Sequence, residues 1–225
     1  MAIILSLLTP LLTILLFLGV RQWGSLLHRY EKFVYGLTGL MVIPLVGVSV
    51  LFQTGFIENI HPLWYAIFFQ GQLGFSFYIL VMFAGALKPK TPSQITLLRV
   101  RRELAILGFL WLIPHATLLV IRALSALNPT GTLAFFIIVP LVITSFPFIR
   151  RKMKPDTWRG FHYWAYIVYG LIYLHIASIT LMVQWNDGTS YGALAWLRFL
   201  IYTAIFVAYL TLKQKYYPLK KNALV

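Results

Sequence analysis

The sequence of 225 residues contains no cysteine, and only 11% of its residues are charged. The absence of thiols excludes disulfides, iron–sulfur clusters, covalent c-type haem attachment and thiol redox chemistry. Carboxylates are scarce too: five Asp and Glu stand against 19 Lys and Arg, for a formal net charge of +14. A soluble domain carries about 25% charged residues because its surface must face water. A chain that is 60% hydrophobic, with a mean hydropathy of +0.81, cannot cover itself in that way. The composition predicts an integral membrane protein. It assigns the positive excess to basic loops on one side of a bilayer, with no nucleic acid as partner. No internal repeat, low-complexity linker or second soluble domain is visible. The length is expected to hold one membrane bundle and no flavin or nucleotide domain.

What is present is a series of long apolar runs. Crossing a hydrocarbon core takes about 20 apolar residues, and seven runs qualify: roughly 2–20, 33–55, 63–87, 103–126, 132–149, 160–183 and 191–212. No Lys or Arg precedes the first run and no small-residue cleavage site follows it, so it reads as a span rather than a signal peptide. If the spans alternate, 17 of the 19 basic residues fall on one side, in the first, third and fifth loops and the C-terminal tail. The opposite loops hold Glu58 and Asp187. Basic loops stay cytoplasmic. The expected fold is therefore all-α and integral to the membrane, a seven-transmembrane-helix bundle with the N-terminus outside and the C-terminus cytoplasmic. Pro89, Pro92 and Pro155 interrupt the chain between spans, whereas Pro44, Pro114 and Pro140 fall within them.

Polar side chains inside such spans are the informative ones. His28, in the first cytoplasmic loop, and His61, just before the third span, read as interfacial. His115 and His175 do not. They lie 13 and 16 residues beyond Arg102 and Arg159, which at 1.5 Å per residue is about 20 and about 24 Å from the cytoplasmic charges. Two histidines at matched depth, amid apolar and aromatic residues without a carboxylate, favour a ligand pair over isolated packing. Facing imidazoles across a bundle core suit a six-coordinate b-type haem. Zinc would call for further Cys, Asp or Glu ligands at that depth, and a proton relay for carboxylates in the spans.

A second, inner haem is left open. His162 lies 13 residues before His175, a rise of about 20 Å. An ideal helix points the two apart, so a π-bulge or distortion near Gly170 would be needed to align them. On the fourth span the residue at that inner depth is Arg101, close to the face of His115. It could reach haem propionates or the iron itself, or serve with Arg102 as an ordinary cytoplasmic anchor. Arg122 and Arg198 break the charge rule near the outer edge of the proposed haem level. They are candidates to pair with propionates, the alternative being snorkelling to the outer headgroups.

These residues carry a resemblance. Arg101-Arg102-Glu103-Leu104 through Gly108 to His115 resembles the RRxLGL…H segment of the ferric-reductase-like transmembrane haem proteins. Thr144-Ser145, a basic loop, Trp158, His162 and His175 resemble that family's TS…W…LH…Y…H segment, and Gly71-Gln72-Leu73-Gly74 is similar as well. Within the family the likeness is greatest to the MsrQ-type haem-binding membrane subunits of methionine sulfoxide reductase systems. It covers about residues 70–185, so residues 1–60 are expected to be an extra N-terminal transmembrane pair and 61–225 the haem-binding domain.

The resemblance implies a b-type haem bundle that serves as the electron-transfer subunit of an oxidoreductase. Electrons would pass from a separate cytoplasmic flavoprotein or quinol donor to an outer-side protein or small-molecule acceptor. The setting would be a bacterial cytoplasmic membrane, with membrane lipid as partner. His115 and His175 become the axial pair, and His162 and Arg101 the inner candidates. NADPH-oxidase relatives carry a histidine where Arg101 stands. Two rival readings remain at this level, a haem-free transporter or channel and a non-catalytic anchor subunit.

Overall fold

A computed structural model of the chain describes residues 2–122, 129–187 and 191–218. The side chain of Arg122 and the tail residues Lys220 and Lys221 lie outside the described part. Among the described residues there are helices, turns and no strand. In hydrocarbon the backbone must satisfy its own hydrogen bonds, and long apolar runs do so as helices. In chain order the helices are α1 (Ala2–Arg29), α2 (Glu31–Gln53), α3 (Pro62–Trp64), α4 (Gln72–Ala84), α5 (Pro92–Arg99) and α6 (Arg101–Arg122). They continue with α7 (Pro129–Ile143), α8 (Pro147–Arg150), α9 (Pro155–His162), α10 (Trp164–Asp187) and α11 (Tyr191–Tyr216).

Each expected apolar run is occupied by a helix or a helix pair, but not all of them look alike. Four helical stretches are long and apolar enough to cross a membrane: Leu5–Arg29, Glu31–Gln53, Pro155–Leu181 and Trp196–Tyr216. A fifth is a pair bent by 44°, Pro62–Phe69 with Gln72–Ala84. α6 has 22 residues and α7 only 15. At about 22 Å, α7 is shorter than a hydrocarbon core of about 30 Å. It stops at Ile143, where Thr144 turns its hydroxyl back onto the Pro140 and Leu141 carbonyls, and Pro147 then opens α8. The protein is thus an all-helical, multi-pass membrane protein. Leu15, Phe33, Leu40, Ile43 and Phe136 are among the large apolar side chains left on its outer surface, as lipid-facing helices require.

Two breaks shape the bundle. In the bent pair, residues Tyr65–Phe69 form a π-turn that ends at Gln70, and Gly71 follows with φ of +72°. That left-handed conformation suits glycine. The second break is at Tyr163, between α9 and α10, where tight i to i+3 hydrogen bonds (Tyr163 N to Gly160 O, Tyr166 N to Tyr163 O) replace the α pattern. The distortion expected near Gly170 is not there. α10 runs unbroken across Gly170, and the interruption between His162 and His175 is the tighter turn at Tyr163.

α4 packs on α6 and α1, α2 packs on α6, and α10 packs on α7 and α11. The N-terminal pair is part of the body, since α1 also meets α5 and α11. One apolar core joins Val20, Phe77, Leu80, Val81, Leu97, Val100, Leu104 and Leu107. Two further cores, Tyr78–Ile106–Ile138–Leu141–Val142–Val168 and Met82–Ala86–Tyr169–Tyr209, close the seam between the α4–α6 side and the α10–α11 side.

α4 and α6 cross where two glycines meet. A Cβ on Gly74 would stand 2.6 Å from Leu112 Cγ and 2.9 Å from the Gly108 carbonyl oxygen. A Cβ on Gly108 would stand 3.0 Å from Phe77 Cβ. Small residues let membrane helices approach in this way. Gly74→Ala is therefore expected to lower stability in detergent by about 1–3 kcal/mol. Gly170→Ala, where nothing lies within 4 Å of the added atom, should be neutral or stabilising. Thermal unfolding of both variants checks this, and equal melting temperatures would refute the close crossing.

Candidate functional site

The two histidines singled out from the sequence come together. The His115 ring on α6 and the His175 ring on α10 have centroids 6.2 Å apart, with planes inclined at 70°. They meet across the seam, and each is seated by a different device.

His115 follows Pro114, whose ring removes one backbone donor from α6. The Pro114 carbonyl accepts the hydroxyl of Ser49 on α2 at 3.1 Å. His115 Nδ1 lies 2.8 Å from the carbonyl oxygen of Phe69, the last residue of the π-turn. A carbonyl only accepts, so Nδ1 carries the proton and donates, and Nε2 keeps its lone pair. The break at Gly71 is what turns that carbonyl towards α6. Gly71 also has to be small, because a Cβ there would stand 3.1 Å from the imidazole Cγ and Cδ2.

His175 is seated against Gly131 on α7. A Cβ at Gly131 would fall 2.4 Å from His175 Nδ1 and 2.5 Å from Cε1, so the ring occupies the space a side chain would need. Its Nδ1 is buried without a hydrogen-bond partner among the described residues. Next to it, Tyr173 stacks on Phe206 at 4.7 Å, and a narrow crevice lined by Phe75, Met82, Tyr169, Tyr202 and Ile176 runs along the seam.

The other candidates separate. His162 lies at the end of α9, tilted against Trp158 with ring centroids 4.0 Å apart and Nε2 3.2 Å from the Thr144 hydroxyl. Trp158 Nε1 donates to the Thr144 carbonyl at 3.1 Å, and Arg150 covers the Trp158 ring. Arg101 lies beside Gly85 with its guanidinium near the Tyr169 hydroxyl. No imidazole faces His162 from α6. Arg102 points to the opposite side of α6, where its guanidinium pairs with Glu31 and, at 2.6 Å, with Glu103. Arg198 enters from α11 and donates through Nε to Ser6 Oγ at 3.2 Å. The reading of His28 as merely interfacial is incomplete, since its Nδ1 lies 2.8 Å from the fully buried Glu103 carboxylate.

Sequence reasoning missed the Phe69 carbonyl and Gly131, and it missed a polar network joining α1, α4 and α11. In that network the Thr9 hydroxyl meets Gln72 Oε1 at 3.2 Å and the Tyr202 hydroxyl at 2.9 Å. Ser76 donates to the Thr9 carbonyl, and Gln72 Nε2 donates to Gln70 Oε1. Gly71 and Gln72 were visible as part of a motif, but their roles depend on contacts between helices distant in sequence.

Residues 70–173 match the family model described as "Ferric reductase like transmembrane component". An uncharacterized protein of Treponema pallidum (strain Nichols) is 33% identical over 73 residues, which is 32% of this chain and 19% of the relative. The chain thus spans about a fifth of that relative's length. No solved structure matches.

The hydrogen-bond geometry predicts the tautomer of His115. In isotopically labelled apoprotein, long-range proton–nitrogen correlation should show a protonated Nδ1 and an unprotonated Nε2. The reverse pattern would remove Phe69 as its partner.

Proposed function

We propose, from the match of residues 70–173 to the ferric reductase-like transmembrane family, that this chain holds one b-type haem between His115 and His175 and carries electrons across the membrane. The donor is a cytoplasmic flavoprotein or quinol, and the acceptor stands on the outer side of a bacterial cytoplasmic membrane. The family supports membrane electron transfer as such. One observation carries the haem itself, namely two imidazoles from different helices meeting with centroids 6.2 Å apart. A metal–nitrogen bond of about 2 Å and about 1 Å from nitrogen to ring centre give about 6 Å for two imidazoles on one ion.

The donor set fits the group. The Phe69 carbonyl fixes the His115 tautomer so that Nε2 is free to ligate, the second-sphere arrangement usual for metal-bound histidine. Gly131 gives His175 its place. When bound, the haem supplies a one-electron couple whose potential depends on its axial ligands and surroundings. Aromatic and apolar side chains of the seam, Phe75, Tyr173, Tyr202 and Phe206, exclude water. Among the described residues Arg198, anchored by Ser6, is the positive group placed to meet propionates, whereas Arg101 stands 14 residues before His115, about 21 Å along α6, beside Tyr169. Arg102 takes no part, being committed to Glu31 and Glu103. The reading takes a single haem because His162 is engaged with Thr144 and Trp158 and has Arg101, not a histidine, as its counterpart on α6.

For topology, the reading takes all seven helical runs as spans, with α6 and the short α7 completing the bundle. The N-terminus lies outside and the loops that hold 17 of 19 basic residues lie in the cytoplasm.

The test is a dithionite-reduced minus oxidised visible spectrum with haem-to-protein stoichiometry on purified protein. Wild type should give a b-type signal near one haem per chain. His115→Ala and His175→Ala should each lose haem by about tenfold or more. Gly131→Leu, which takes the space of the His175 ring, should lose it as well. Wild type produced with ample haem yet lacking any signal would overturn the proposal in favour of a transporter or anchor. Retention of full haem by both histidine variants would overturn the ligand assignment.

A further inference from the structure

Away from the His115–His175 pair, three helices bring chemistry-bearing residues to one point at the cytoplasmic ends of α1, α2 and α6. His28 comes from the end of α1, Glu31 from the first turn of α2, and Arg102 and Glu103 from the start of α6. Ligand atoms of His28, Glu31 and Glu103 all lie within 4.8 Å of one another. The Glu103 side chain is 0% exposed, whereas that of His28 is 52% exposed. The cluster therefore has a buried floor and an open side.

The cluster is incompletely satisfied. Glu103 Oε1 accepts from both His28 Nδ1 and Arg102, but Oε2, equally buried, has no partner among the described residues. The Nε of Arg102 and the neighbouring Tyr35 hydroxyl are buried polar atoms of the same cluster, and they too lack a well-formed hydrogen bond among the described residues. Buried polar groups are normally paired, and a carboxylate oxygen left bare points to a guest that completes it. Charge argues the same way: two carboxylates share one guanidinium, which leaves one negative charge over when His28 is neutral. Arg102 is 33% exposed, so part of its side chain already reaches solvent.

We propose that His28, Glu31 and Glu103 form a binding site for a first-row divalent cation such as Zn²⁺ or Mn²⁺, for which the Arg102 guanidinium is the built-in competitor. One imidazole nitrogen and two carboxylates are the hard-to-borderline donor set such ions take. Glu103 can offer both oxygens and Glu31 one, with water completing the shell from the open side. In one state Arg102 holds the two carboxylates. In the other the cation replaces it and ties α1 and α2 to α6, the helix that carries His115. The site does not depend on the haem reading, and its test uses no haem signal.

The experiment is isothermal titration of Zn²⁺, repeated with Mn²⁺, into tag-free full-length protein stripped with chelator, with the melting temperature followed alongside. Wild type should bind one ion and melt at a higher temperature with metal present. His28→Ala and Glu31→Gln should each weaken binding by about tenfold or more. Arg102→Gln should tighten it by a similar factor, a change that a purely structural role for Arg102 would not produce. Glu31 is partly exposed and leaves the core intact, so its variant reports on binding even if changes at buried Glu103 unfold the protein. No binding by either wild type or Arg102→Gln would overturn the proposal, as would binding that His28→Ala and Glu31→Gln leave unchanged.

Discussion

A backbone carbonyl in a hydrocarbon layer has no water to accept from, so every break in a membrane helix must find a donor within the protein. The third helical run breaks at Gly71, and the carbonyl released at Phe69 is met by His115 Nδ1 at 2.8 Å. Much else depends on this contact. It fixes which ring nitrogen carries the proton, and therefore which one is free. It also requires α4 and α6 to lie close together, which the bare backbones of Gly74 and Gly108 allow. On the other flank of α6, the carbonyl of Pro114 is held by Ser49 of α2. The residue before His115 and the ring of His115 itself are thus tied to two different neighbouring helices.

His175 is placed by shape rather than by a hydrogen bond. α10 leans on α7 where Gly131 leaves a gap, and the imidazole fills it. The two halves of the bundle meet through aromatic rings, with Phe75 against Tyr202 and Phe83 against Tyr209. Few polar groups occur in these helices, and several of them make contacts between helices. Thr9, Ser76 and Gln72 join α1 to α4, Thr9 and Ser6 join α1 to α11, and Ser49 joins α2 to α6. In lipid, where apolar burial does not distinguish one helix face from another, such contacts and close packing set the arrangement. The first two helices, which lie before the family-matched segment, are in this way built into the frame around His115.

How much could be read in advance differs from residue to residue. Long apolar runs and a lopsided charge distribution are properties of composition, and the physics of the bilayer acts on them directly. Membrane insertion, all-helical structure and the places where helices occur followed without knowing any contact. Depth along a helix is likewise linear in sequence, at 1.5 Å per residue, which is why His115 and His175 could be matched before their rings were seen to meet. Phase is less secure, because one tight turn changes it. A distortion between His162 and His175 is expected near Gly170, and the one present lies at Tyr163. Arg101 and Arg102 are neighbours in sequence, yet 100° of rotation sends one towards Tyr169 and the other to a pair of carboxylates.

What the chain order could not disclose are contacts between residues far apart in it. The Phe69 carbonyl and His115 are 46 positions apart, and His28 and Glu103 are 75 apart. Gly131 carries no chemistry to mark it, and its importance is the absence of an atom where another helix places a ring. The sequence by itself determined that the chain enters a membrane as helices and at what depth its histidines lie, because hydrophobicity and helical rise act locally. Only the tertiary structure decided which histidine faces which, which nitrogen is free and which carboxylate oxygen is left bare. Those outcomes depend on how helices cross, and the crossings are set by glycine contacts and isolated hydrogen bonds that the apolar pattern does not encode.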